Sequence, residues 1–274
     1  MDSILAHPAF QSGIAPFVVS LIISITCLRW SLVSGLSIVA GVSISVYLAT
    51  GFSFEPLTSS RKIILLILLS PVVAILCKQL ITNVKVRNNC FAALGALAML
   101  WVFWPVLARN PSEALVPTLA YMIFAAWMVA IFTKLSDTSS ISAGAAATSV
   151  GFSVGIIILT GASAMLGQMG LSLGAAAAAF LLTQLVFKID REAGITVTFS
   201  SGLIAGLLLP ASVVYAKVPW VVLPLIAIVP IFAFYPFEDD DEIWKNTLTL
   251  IAVMALPIGF AIYLTVESAG EILM

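Results

Sequence analysis

Apolar runs about twenty residues long recur along the chain, separated by short polar or proline-containing stretches, and the pattern predicts ten helices. They run over 11–28, 31–50, 62–83, 89–108, 113–134, 140–161, 170–188, 194–215, 218–235 and 243–266. A transmembrane barrel would show shorter segments of alternating polarity, which these runs are not. In lipid each backbone N–H and C=O needs a partner inside the protein, so continuous apolar runs of this length fold as helices. The expected fold is all-α: a polytopic integral membrane helix bundle forming one transmembrane domain over 1–274.

The punctuation fixes most boundaries. Phe54-Glu55-Pro56 through Arg61-Lys62 parts spans two and three, Asn83 to Asn89 parts three and four, and Lys188 to Glu192 parts seven and eight. Arg109 to Glu113 parts four and five, with Ser112 as the expected N-cap and Glu113 favourable in the first turn. The acidic run Glu238 to Glu242 parts nine and ten. Thr138 to Phe187 holds no charge. A helix over all of it would be about 75 Å long against a bilayer core of ~30 Å, so it must break, and the glycine-rich stretch Gly161–Gly170 is where the break is expected.

Composition agrees with a lipid solvent. The chain is 61% hydrophobic and 9% charged, where soluble domains carry about 25% charged residues. Mean hydropathy is +1.16. A net charge of −1 gives no basic surface for nucleic acid. The first residues lack a basic stretch, so no cleaved leader is expected. Cys27, Cys77 and Cys90 form no C-x-x-C pair and read as small apolar packing residues.

Lysines and arginines bias the orientation. Arg29, Lys78, Lys85, Arg87, Lys134, Lys188, Arg191 and Lys245 follow odd-numbered spans; Arg61, Lys62, Arg109 and Lys217 follow even ones. The positive-inside rule then places the odd connections in the cytoplasm and both termini outside, as a multi-pass protein of the plasma (bacterial inner) membrane.

Ten spans divide as five plus five, with halves 1–137 and 138–274 related as an inverted repeat of the kind found in secondary carriers. Prolines near matching positions, Pro105 in span four and Pro224 and Pro230 in span nine, mark helices whose interruption would free backbone groups for a substrate. Gln168, flanked by Gly167 and Gly170, adds an amide at the expected break. Pro105, Gln168 and Pro230 are therefore the candidate substrate-binding residues. Gln184 reads as facing a headgroup.

The spans are almost empty of ionisable groups. Lys78 is the deepest, and its stem can carry the ammonium to the interface. No Asp or Glu lies at the centre of a span, which argues against proton relays and carboxylate-lined pores. The single histidine, His7, cannot provide paired haem ligands, so neither a cofactor nor a metal site is expected. No phosphate loop or hydrolase motif is present, and no catalytic residue is assigned.

The small residues form the clearest pattern. Gly151-x-x-x-Gly155 in span six and Gly202-x-x-x-Gly206 in span eight are helix-packing motifs, and span seven adds Gly174 and an alanine run. Tight packing among spans six to eight is expected, with contact to protein partners or a second copy as the other use of these faces. The uncharged half also holds Thr148, Ser149, Ser153, Thr160, Ser163, Ser200 and Ser201.

These features point to a secondary carrier or facilitator for a small neutral, amphipathic or lipid-like solute. The alternative is a non-catalytic integral subunit of a larger membrane complex. A lipid-modifying enzyme would have to use Glu55, Arg61, Lys62, Arg109 or Glu113, which form no recognisable constellation.

Overall fold

The computed structural model describes residues 7–235 and 243–273, except positions 29, 31, 53 and 162. Among the described residues the chain is helical throughout, without a sheet, and forms a polytopic bundle. The helices are α1 (Phe10–Thr26, opening on a π-helical turn), α2 (Leu36–Thr50), α3 (Ser59–Leu80), α4 (Val84–Arg109) and α5 (Pro111–Lys134). They continue with α6 (Ser140–Thr160), α7 (Ala164–Val186), α8 (Ile195–Tyr215), α9 (Val222–Phe234) and α10 (Ile243–Leu273). Helices α3 to α8 and α10 are long and apolar enough to cross a bilayer; α1, α2 and α9 are apolar but shorter.

Helices α1 to α8 alternate between two ends of the bundle. At one end Gly35, before α2, donates to Thr196 of α8, and Ser139, before α6, bridges to Glu192, before α8. At the other, Gln11 of α1 donates to the Leu48 carbonyl of α2, and Tyr215, closing α8, bonds Ser59, opening α3. We call these the Ser140 end and the Ser59 end.

The most buried helices are α6, α7 and α8, which form the centre. Helix α7 lies along α6 and is covered by α1 and α2; α8 packs on α5 and α3; α10 lies on α6. The two halves do not pack alike. Helix α5 runs along α8, but α10 makes no comparable contact with α3 among the described residues.

Of the boundaries that differ from expectation, three have a direct physical reason. Helix α7 begins at Ala164, so Gly167, Gln168 and Gly170 lie within a helix and not in a break. These glycines serve close packing: a Cβ on Gly170 would stand 2.6 Å from the Gly155 backbone, and one on Gly167 would meet Leu159 at 2.6 Å. Helix α4 begins at Val84 because Asn83 caps it, accepting from the Lys85 and Val86 amides. Helix α5 begins at Pro111, with Asn110 and not Ser112 at the cap position, since proline suits a first turn whose N–H needs no partner. The acidic run Glu238 to Glu242 lies outside the described residues.

Both glycine motifs are occupied inside the chain. A Cβ on Gly151 would stand 2.4 Å from the Gly174 amide, and one on Gly155 2.4 Å from that of Leu171, so α6 and α7 meet backbone to backbone. Gly202 and Gly206 face Phe132, Met128 and Ala125 of α5. The second motif thus joins the centre to α5 and does not join spans six to eight to one another. Neither glycine face is open to a partner.

Candidate functional site

The residues expected to form a site are not brought together. Pro105 sits within α4, which continues past it to Arg109. Pro230 is buried where α9 tightens from α- to 3₁₀-helix at Val229. Gln168 is partly buried in α7 near the Ser59 end. Helices α4, α7 and α9 make no extensive contact with one another among the described residues. Trp101, Trp104 and Trp127 are on the exterior, 40%, 58% and 44% exposed, and so do not line an internal groove.

A cavity of about 220 Å³ with both polar and apolar walls lies instead at the Ser140 end. Its walls come from α1 (Ser24), the start of α6 (Ser140), the end of α7 (Phe180, Gln184) and the α7–α8 connection (Arg191, Glu192). Local sequence explains how these segments meet. Helix α7 stops in a Schellman turn: the Lys188 amide donates to the Leu185 carbonyl, the Ile189 amide to that of Gln184, and Lys188 takes the left-handed conformation at φ 51°. The chain then folds back over the start of α6. Ser139 caps α6 by accepting from the Ile141 and Ser142 amides, and its hydroxyl donates to Asp190 Oδ1 at 2.6 Å. The Ser140 amide donates to the Arg191 carbonyl at 2.7 Å, and the Ala193 amide to that of Thr138 at 3.2 Å. The connection is therefore strapped to α6 by side chain and backbone together.

Two buried polar groups on the walls have unused capacity. Most helical hydroxyls here donate to a carbonyl one turn back, as Ser37, Ser153, Ser172, Thr183 and Ser212 do. Ser24 does not: it is 2% exposed and its Oγ has no partner among the described residues. Gln184 is 6% exposed, and its Oε1 is 3.4 Å from the Ser140 hydroxyl, which also donates to the Ile189 carbonyl at 3.2 Å. Its amide nitrogen donates to no group among the described residues. Buried hydroxyls such as that of Ser24 are normally satisfied, and leaving one without a partner in an apolar surround costs about 1–3 kcal/mol. Around an open cavity, water or a bound molecule can supply the partner. Ser149 and Ser201 are also buried without partners, but they line neither cavity described here.

At the Ser59 end a second cavity, of about 280 Å³, opens between the end of α2 (Thr50), the start of α3 (Ser60, Arg61) and Met165 of α7. Arg61 is held there by the Pro56 carbonyl at 2.7 Å. The two cavities thus lie at opposite ends of one seam, where α2 runs along α7. Between them the seam is closed: Ser20 of α1 donates to the Ala176 carbonyl at 2.7 Å, and a Cβ on Gly41 would stand 2.7 Å from Ala176 Cβ.

The sequence singles out Gln168 and reads Gln184 as facing a headgroup, and it gives no signal for Ser24, which looks like any other helical serine. Nor does it show that Lys62, read there as a boundary residue, is buried. This lysine is 7% exposed; its Nζ donates to the Trp101 carbonyl at 2.8 Å and lies 5.2 Å from the Trp101 ring centre.

No protein-family model matches the chain, and comparison with curated proteins gives no match.

Proposed function

We propose that this membrane protein is a carrier or facilitator for a small, neutral, hydrogen-bonding solute, bound in the cavity between Ser24 and Gln184. The observation that carries the reading is the buried Ser24 hydroxyl, unpartnered among the described residues, on the wall of a cavity that the Gln184 amide also lines. Its volume is below the roughly 300–1,000 Å³ of sites for drug-sized ligands, which favours a solute of few atoms. A hydroxyl and an amide suit an uncharged polar molecule. Arg191 and Glu192 at the rim offer one charge of each sign, so neither a cation nor an anion is preferred. The second cavity on the same α2–α7 seam supports transport over mere storage, because a solute would have an entry at each end. In this reading the Ser140 end, which carries Lys78, Lys85, Arg87, Lys134, Lys188 and Arg191, faces the cytoplasm. The subunit alternative is less well supported, since the glycine faces that would have docked a partner are covered by the chain itself.

The test is solute flux in proteoliposomes, followed by light scattering with a panel of amides, polyols and zwitterionic amino acids. At least one solute is expected to enter faster than into empty vesicles. Gln184→Leu should lower that flux about fivefold, the worth of one hydrogen bond of ~1 kcal/mol. If no solute outpaces empty vesicles, or if Gln184→Leu and Ser24→Ala both leave the flux unchanged, the reading fails.

A further inference from the structure

Basic side chains gather at the Ser140 end of α3, α4 and α5, away from the cavity. Lys78 is in the last turn of α3, Lys85 and Arg87 are in the first turns of α4, and Lys134 closes α5. None of them is ion-paired or hydrogen-bonded through its side chain among the described residues. Lys85 and Lys134 are exposed and Lys78 is half-buried, so water serves them.

Arg87 is different. It is 9% exposed, and its Nε is buried with no partner; in the same turn Asn88 Oδ1 is also buried with none. Helical periodicity puts Arg87 on the same face as Phe91, whose ring lies 4.7 Å from that of Phe199 in α8. Helices α4 and α8 both start at this end, so Arg87, one turn before Phe91, sits at the level of the first turn of α8. That turn follows Gly194, which has no side chain to cap it. A desolvated guanidinium and an uncapped helix start both favour negative charge at one level of the bundle.

We propose that Arg87, assisted by Lys78 and Lys85, binds an anionic phosphate, presented by a phospholipid headgroup or as soluble phosphate. A guanidinium matches phosphate geometry through parallel N–H donors, and Arg87 has an Nε donor to give. The unpaired Asn88 oxygen accepts a hydroxyl or ammonium proton, which a glycerol or ethanolamine headgroup carries along with its phosphate. The place is also that of a headgroup, at the end of helices that cross the bilayer.

Thermal unfolding of the intact protein in detergent tests this without reference to transport. The probes are phosphatidylglycerol in mixed micelles, phosphatidylcholine at the same mole fraction, and inorganic phosphate. Phosphatidylglycerol should raise the midpoint by about 3–5 °C at ten times its Kd. Phosphatidylcholine should not. The shift should vanish in Arg87→Gln and shrink in the double variant Lys78→Gln/Lys85→Gln, at one half-buried and one exposed position, which serves if Arg87→Gln folds poorly. An Arg87-dependent shift with inorganic phosphate alone also supports the site and makes its ligand a soluble anion. Shifts of equal size in wild type and both variants, an equal shift from phosphatidylcholine, or none with any probe would overturn the proposal.

Discussion

Helices α6, α7 and α8 have 83%, 78% and 89% of their most apolar stretch buried within the chain; for α3, α4 and α10 the figures are 33%, 33% and 22%. The ordering is the reverse of a water-soluble protein. The central trio is built from glycine, alanine, serine and threonine, and the outer helices from leucine, isoleucine, valine and tryptophan. In lipid, leucine gains nothing by leaving the surface, because hydrocarbon is as good a neighbour as another leucine. Small residues gain contact by letting backbones approach. Burial in this molecule is therefore sorted by side-chain size more than by polarity.

The sharpest way to break that contrast is to enlarge a central glycine. In Gly151→Leu the new Cβ alone would stand 2.4 Å from the Gly174 amide, and what it meets is backbone, which cannot rotate aside. Helices α6 and α7 would have to separate along their length. The expected result exceeds the ~1–3 kcal/mol of ordinary overpacking and abolishes a monodisperse folded peak in gel filtration. A variant that elutes and melts like the wild type would show that the α6–α7 contact does not hold the centre together.

The helices were legible because the bilayer imposes a length and polar residues mark where it ends. Where the reading failed, one residue type had two uses. Glycine breaks helices and also packs them, so Gly161–Gly170 read as a long break although only its first few residues lie between helices. Asparagine ends helices and also caps them, so Asn83 to Asn89 reads as a separator between spans, with Arg87 counted among its charges, although the helix begins at Val84. The cavity was hidden for another reason. Ser24, Ser140 and Gln184 come from three helices far apart in sequence, and neither their meeting around one cavity nor the missing hydrogen bond of Ser24 shows before the chain is packed.

A pair of matched truncations measures the contrast at intermediate scale. Leu208 in α8 is fully buried, whereas Leu256 in α10 is 74% exposed. Leu208→Ala leaves a cavity and should cost about 2–4 kcal/mol. Leu256→Ala only exchanges a side chain for lipid, and the cost should stay within about 0.5 kcal/mol. Steric-trap or reversible SDS unfolding gives both values. Equal losses would mean that the exposed face of α10 is packed against something other than lipid.

The smallest expected effect is the most telling about that outer face. A Cβ added to Gly259 of α10 meets no atom within 4 Å, in contrast to every glycine of the α6–α7 contact. Gly259→Ala therefore has no steric cost inside the chain. It removes a flexible residue from a helix interior, where alanine is favoured over glycine by up to about 1 kcal/mol. The midpoint in detergent and in bilayer nanodiscs should stay the same or rise slightly. A fall of more than about 1 kcal/mol in nanodiscs but not in detergent would show that another helix, from a partner or a second copy, approaches Gly259 in the membrane as closely as α7 approaches Gly155. In that event α10 would belong with the central helices, packed through a small residue, and the contrast between centre and rim would mark only the boundary of one chain.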